Sequence, residues 1–223
     1  MIRLTNVSHD YGARGLLTGI DLHVAPGAFH FLTGPSGAGK STLLKLCYGE
    51  LRPRSGRIEL FGQALTGLSR DALADTRRRV GVIHQDCQFL DHLTVAENVA
   101  LPFVATNRPI PMRDLRELLG WVGLADQAGA LPPTLSGGER QRAALARAVI
   151  LSPEVVLADE PTGNVDPEMS QRLLSLLVEL NRMGTAVMIA THDMALIRAA
   201  KSQVAARVLR IVDGTLQQAG ADL

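Results

Sequence analysis

Short, wholly apolar runs alternate with stretches of helical period along this chain, and their order is the first guide to its architecture. Ile2 to Val7, Ile20 to Val24, Phe29 to Thr33 and Arg57 to Phe61 read as short strands separated by Gly and Pro signals. They predict an antiparallel piece joined to a parallel core in a first part that runs to about Val82. From about Leu93 to Val149 the period becomes helical, most clearly over Val95–Leu101, Leu115–Val122 and Glu139–Ile150. Strands near Val155–Ala158, Ala186–Ala190 and Val208–Val212 then flank a helix from Glu168 to Met183, the pattern of a parallel sheet covered by helices. The class expected is therefore α/β with a mixed sheet, an antiparallel β part and a helical insertion. No internal repeat or low-complexity tract interrupts it.

Composition narrows the function. A chain of 223 residues that is 46% hydrophobic can bury a substantial core. Its net charge of +1 gives no footing for a general nucleic-acid or anionic-surface binder, so no nucleic-acid partner is expected. Cys47 and Cys87 lack metal or redox spacing, which points to free thiols in a reducing compartment, with Cys47 packed in a helix. The apolar runs are strand-sized, far below the roughly 18 residues of a membrane span. The opening residues read as a strand and not a signal peptide. A cytoplasmic protein is expected, and any work at a membrane needs a second chain.

The chemistry is carried first by Gly34, Pro35, Ser36, Gly37, Ala38, Gly39, Lys40 and Ser41, which fit the phosphate-cradling pattern G-x-x-x-x-G-K-[ST]. A buried strand precedes them and an apolar helical run from Thr42 follows, so successive backbone N–H groups and a helix N-terminus converge on one anion. Lys40 is placed to reach the β- and γ-phosphates, and the Ser41 hydroxyl to complete the coordination of Mg²⁺. By average residue frequencies such a match arises by chance in roughly one chain of this length in a hundred. Thr42 stands where the third glycine of a dinucleotide fingerprint belongs, which excludes that alternative.

A second apolar strand, Val155 to Ala158, ends in Asp159 and Glu160. Next to a phosphate loop, Asp159 is suited to hold Mg²⁺ and Glu160 to polarise an attacking water. A solvated acidic strand end is the plainer alternative. The segment Leu135-Ser136-Gly137-Gly138-Glu139 opens a long helix and makes a second anion-binding N-terminus. One nucleotide does not need two such sites from one chain, so the simplest use of the second is on a nucleotide held by another copy.

This Leu-Ser-Gly-Gly segment with the phosphate loop and the Asp159-Glu160 strand resembles the ATP-binding cassette (ABC) family over nearly the whole chain. The resemblance implies a P-loop NTPase in a single domain over 1–223, with 1–86 and 151–223 as the catalytic lobe and 87–150 as the helical subdomain. It implies ATP with Mg²⁺, and a head-to-tail homodimer that sandwiches ATP. Tyr11 matches the aromatic that stacks on adenine, although an isolated Tyr at a strand end more often simply packs. Gln85 matches the glutamine that senses Mg²⁺ and the attacking water, His192 the histidine that contacts the γ-phosphate, and Gly163-Asn164-Val165-Asp166 the loop that crosses the dimer interface. The remaining histidines show no metal spacing, and Arg77-Arg78-Arg79 reads as a solvated helix face, with contact to an acidic partner as the alternative. The chain ends soon after its last predicted strand, so neither a further domain nor a second cassette is expected.

Glu97-Asn98-Val99-Ala100-Leu101-Pro102-Phe103 and Asp159-Glu160-Pro161-Thr162-Gly163-Asn164-Val165-Asp166 resemble the group of cell-division, lipoprotein-release and efflux cassettes within that family, and the Tyr48-Gly49-Glu50 end of the phosphate-loop helix with Asp86 is most similar to its cell-division branch. An integral membrane subunit of FtsX type is the partner this implies, with the chain peripheral on the inner face of the membrane. Lipoprotein-release and efflux cassettes are the alternatives within the family. A nucleotide-gated scaffold with little hydrolysis is the alternative of another class. The stretch from Gln85 to Phe103 links the phosphate loop to the Leu-Ser-Gly-Gly segment, the signature of the family it resembles, and its Phe89, Leu90 and Leu93 suit either a partner socket or packing into the helices.

Overall fold

A computed structural model describes residues 1–12, 15–163 and 165–218. In chain order it has strands β1 (Ile2–Asp10), β2 (Gly15–Val24) and β3 (Phe29–Thr33), helix α1 (Lys40–Cys47), strands β4 (Ser55–Leu60) and β5 (Gln63–Ala64), helix α2 (Arg70–Arg77) and strand β6 (Val80–Ile83). Three helices follow, α3 (Val95–Ala105), α4 (Met112–Trp121) and α5 (Gly137–Val149). The rest alternates as β7 (Val155–Asp159), α6 (Pro167–Arg182), β8 (Ala186–Ala190), α7 (Met194–Lys201), β9 (Ala206–Val212) and β10 (Thr215–Gln218).

Two sheets form, an antiparallel one in the order β2-β1-β4-β5 and a mixed one in the order β10-β9-β3-β8-β7-β6. Strands β9, β3, β8, β7 and β6 of the second are parallel, and β10 turns back antiparallel on β9. Successive residues of a strand face opposite ways, so the sheet divides two cores. Phe29, Phe31, Val156, Ala158, Val187 and Ile189 pack with α3 to α7 on one face. Leu32, Val155, Leu157, Met188 and Ala190 pack with α1 and the antiparallel sheet on the other. This two-sided burial explains why β3 and β8 are apolar without alternation. Cys47 lies in the second core, where burial pushes its thiol up to about 12 and leaves it inert.

The predicted elements exist, with ends shifted by a few residues, and several were not predicted. Strand β2 begins at Gly15, five residues before the expected Ile20, because Gly19 is accommodated at a shift in the register with β1 and does not end the strand. Helix α2 buries only Thr76, so it lacks the apolar stripe that would announce it. Arg77-Arg78-Arg79 is not a free helix face. Arg77 is half-buried and donates to the carbonyls of Tyr48 and Gly49 at the end of α1, while Arg79 pairs with Glu154 and lies over the Phe61 ring.

Helices α3 and α5 start alike, each with a capping box: Thr94 with Glu97, and Ser136 with Glu139. Helix α5 then runs against β6, and Gly81 is what permits the approach. A Cβ at Gly81 would sit 2.3 Å from the Ala148 carbonyl oxygen, which is backbone and cannot swing aside. Gly81→Ala is expected to cost about 2–3 kcal/mol by overpacking and to lower the melting temperature by roughly 5–10 °C. An unchanged thermal melt would show that the α5–β6 contact yields freely.

Candidate functional site

Pairing register brings the separate motifs to one edge. Leu32 of β3 pairs with Ala190 of β8, and Ala190 in turn with Asp159 of β7, so three strands end in a row across the sheet. The phosphate loop leaves β3 there, Thr191 and His192 leave β8, and Glu160 leaves β7. Crevices at the carboxyl ends of parallel strands are where ligands bind in such sheets.

The loop from Gly34 to Gly39 turns tightly, with Gly34, Gly37 and Gly39 all at positive φ. At Gly34 a side chain is excluded twice, by φ and by the Ile211 carbonyl oxygen 2.9 Å from where its Cβ would lie. Lys40 opens α1 and turns its Nζ back into the loop, donating to the carbonyls of Gly34 at 2.9 Å and Pro35 at 3.2 Å. The cation thus stands at the mouth of the cradle, held by bonds an anion can replace. Thr42 is buried on α1, and its hydroxyl lies 3.4 Å from that of Tyr11. Tyr11 is 67% exposed and makes an edge-on contact with the His9 ring, so its ring is not packed into a core and stands beside the start of α1.

Asp159 is half-buried, and burial raises its carboxyl while a hydrogen bond with Ser41 and the nearby Lys40 charge oppose the rise. A hydroxyl and a carboxylate brought together at this edge form an all-oxygen donor set, which fits Mg²⁺ shared with a nucleotide's phosphates. Glu160 follows in the left-handed region at φ 48. Its Oε1 lies 2.8 Å from His192 Nδ1, and its Oε2 accepts from the Thr191 hydroxyl at 3.2 Å. Glu160 and His192 are therefore a pair, with the imidazole 79% exposed and the carboxylate 15%.

Five expected residues stand outside this group. Gln85 is exposed in the loop after β6 and makes no hydrogen bond among the described residues; it lines a depression with Cys87, Phe89, Gly137 and Arg140. Ser136 caps α5, its hydroxyl donating to Glu139 at 2.7 Å and accepting from the Glu139 N–H at 3.3 Å. The hydroxyl and the Ser136 N–H, which donates to Glu139 Oε2 at 2.8 Å, together hold the Glu139 carboxyl below the usual range. Gly137 and Gly138 form the first turn behind it, where backbone N–H groups lack intrahelical partners. Asp166 caps α6 through the Met169 N–H at 2.9 Å, a structural task the sequence reading did not foresee. Asn164 of the same loop lies outside the described residues.

Within the predicted socket, Phe89 is half-buried against the helical core under the Arg147 guanidinium, 4.7 Å from the ring centre, whereas Leu90 is 45% exposed. Asn98 fixes this loop: fully buried, it accepts from the Leu90 N–H and donates to the Leu90, Leu93 and Thr94 carbonyls. Sequence reasoning missed Gln141, a buried residue of α5 whose Nε2 donates to the Glu160 carbonyl at 2.6 Å. Its signal was available, since a polar residue one turn before Ala144 and Leu145 lies on the apolar face of the helix.

Comparison with known proteins yields a consistent set. The ABC transporter family model matches residues 17–163. The chain is 46% identical over 220 residues to "Cell division ATP-binding protein FtsE" of Escherichia coli (strain K12), covering 97% of each. To the protein of the same name in Bacillus subtilis (strain 168) it is 40% identical, over 90% of this chain and 87% of that one. Among solved structures, the ATP-binding cassette MJ0796, dimeric in a post-hydrolysis state with ADP and Pi, superposes with a TM-score of 0.89 at 30% identity over 98% of both chains.

Proposed function

The chain belongs to the ABC transporter family of ATP-binding, ATP-hydrolysing cassettes, and from this premise we propose that it is the ATPase subunit of a membrane complex in cell division. What carries the catalytic part is the meeting of phosphate loop, Asp159 and the Glu160–His192 pair at one sheet edge. What supports cell division is identity of 40–46% over nearly the whole length of relatives with that name.

In this reading residues 34–42 wrap the phosphates of ATP, Lys40 exchanges its loop carbonyls for phosphate oxygens, and Tyr11 stacks on adenine. Ser41 and Asp159 would hold Mg²⁺, with Gln85 closing on it as the lobes turn; the ion would neutralise charge on the transferred phosphoryl group. Glu160 orients and polarises the attacking water, and His192, already beside it, reaches the γ-phosphate. The Ser136 turn and the loop ending at Asp166 serve the nucleotide of a second copy, as the dimeric state of MJ0796 supports.

The chain acts as one cassette, with 1–86 and 151–223 as the nucleotide lobe and 87–150 as the part that moves. Among the described residues no helix is long and apolar enough to cross a membrane. In this reading an integral subunit of FtsX type supplies the membrane part and holds the cassette at the inner face. Leu90, held outward by the Asn98 bonds to its loop, belongs to the surface that subunit grips.

The test of the composite site is complementation. Ser136→Arg is expected to bind ATP as a monomer yet not hydrolyse it, because a bulky cation blocks the turn from the γ-phosphate of the other copy. Mixed with Lys40→Ala, it forms dimers with one site doubly damaged and one intact, so activity returns. Loss of ATP binding by the Ser136→Arg monomer, or a mixture as inactive as its parts, would count against a shared site. Co-purification from membranes, with hydrolysis measured with and without the recovered subunit, tests the division assignment.

A further inference from the structure

We infer that Gln141 is a positioning residue for hydrolysis, holding Glu160 through its main-chain carbonyl and thereby tying the carboxylate to the signature helix of its own chain. The inference rests on the reading of Glu160 as the group that polarises the attacking water.

Glu160 occupies the left-handed region, which is uncommon for a non-glycine residue, at φ 48. Such residues persist where surrounding contacts over-determine them. Its N–H donates to the Ala190 carbonyl at 2.9 Å, and its carbonyl accepts from the Gly163 N–H at 3.2 Å, closing the turn after β7. Its carboxylate is met by Thr191 and His192. All of these partners lie on the strand ends and the turn. Gln141 alone reaches it from α5, at 2.6 Å.

The direction of that bond is fixed by chemistry, because a carbonyl only accepts and so the amide nitrogen must face it. The other end of the amide is unusual. Gln141 is 2% exposed, and its Oε1 is buried with no hydrogen-bond partner among the described residues. A buried amide that leaves its oxygen unsatisfied is unfavourable for stability alone, and an apolar side chain of equal size would fill the space without that penalty. What the amide adds is one directed bond to the backbone of Glu160.

The placement gives the bond a use. Gln141 sits five residues beyond Ser136 on one continuous helix, roughly 7 Å along its axis. The rod that offers its N-terminus to the second copy therefore also fixes where Glu160 points. Docking of the signature turn on one nucleotide and alignment of the carboxylate over the other become linked movements in the same chain.

Gln141→Met keeps the volume and removes the donor. The result expected is a fall of about tenfold in kcat with KM for ATP changed less than about twofold and the melting temperature little changed. In a Glu160→Gln background the same substitution should alter the residual single-turnover rate by less than about twofold, since it acts through a carboxylate no longer there. An equal fold-loss in both backgrounds, or a wild-type kcat beside an inactive Glu160→Gln, overturns the inference alone. A Glu160→Gln protein that hydrolyses normally overturns the reading of Glu160 and this inference with it. Should Gln141→Met not fold, Gln141→Glu decides. Its carboxyl donates to the carbonyl only when protonated, so its kcat relative to the wild type should rise several-fold from about pH 8.5 to about pH 6. A flat ratio overturns the inference.

Discussion

Glu160→Gln is expected to slow ATP hydrolysis by roughly 10²-fold or more while leaving ATP binding intact. An amide fits the same surroundings, because its oxygen accepts from the Thr191 hydroxyl and its NH₂ donates to His192 Nδ1, where the carboxylate oxygens now lie. What it loses is the negative charge that draws a proton from water. Bound ATP should then persist and hold two copies together, so sedimentation with ATP and Mg²⁺ should show a dimer that disappears when ADP replaces ATP. Turnover at the wild-type rate by a folded Glu160→Gln protein would remove Glu160 from its assigned role.

Lys40→Ala should weaken ATP binding by about two orders of magnitude or more, since charge-assisted contacts to the β- and γ-phosphates contribute about 1.5–3 kcal/mol each. Folding should be nearly unaffected. The bonds lost in the free protein run to the loop carbonyls of Gly34 and Pro35 at a partly exposed site, where water takes over. Nucleotide titration reads the result, and unchanged affinity would exclude Lys40 from the phosphates. The two substitutions separate binding from chemistry at neighbouring points of one crevice.

The features legible in the sequence are those whose cause is local or periodic. Strands β3, β7 and β8 are buried on both faces, so their apolar runs are unbroken and easily read. The phosphate loop and the signature turn are contiguous in sequence because each is a helix N-terminus with its approach. Helix α2 was illegible because it packs a single buried threonine; α7 buries Leu196, Ile197 and Ala200 behind its Asp193 cap, but over only 8 residues its period is too short to stand out. Pattern alone left Phe89 divided between socket and core, since an aromatic in a loop carries no period; the Arg147 contact decides for packing, and Leu90 beside it faces out. Gln141 belongs to a third kind. Its partner is a backbone carbonyl 19 positions away, and no side-chain pattern encodes that.

The strand that feeds the phosphate loop has consequences for how the chain matures on the ribosome. Phe29 of β3 finds its sheet partners in Val187 of β8 and Ala206 of β9, both made long after it. At typical synthesis rates this leaves β3 with two open edges for on the order of ten seconds, while β1, β2 and β4 already have one another. The phosphate loop therefore acquires its shape late, when nearly the whole chain has emerged. A truncated chain ending before β8 should display the loop's glycines and lysine in order and still fail to retain ATP, and its bare strand edges make it a substrate for chaperones.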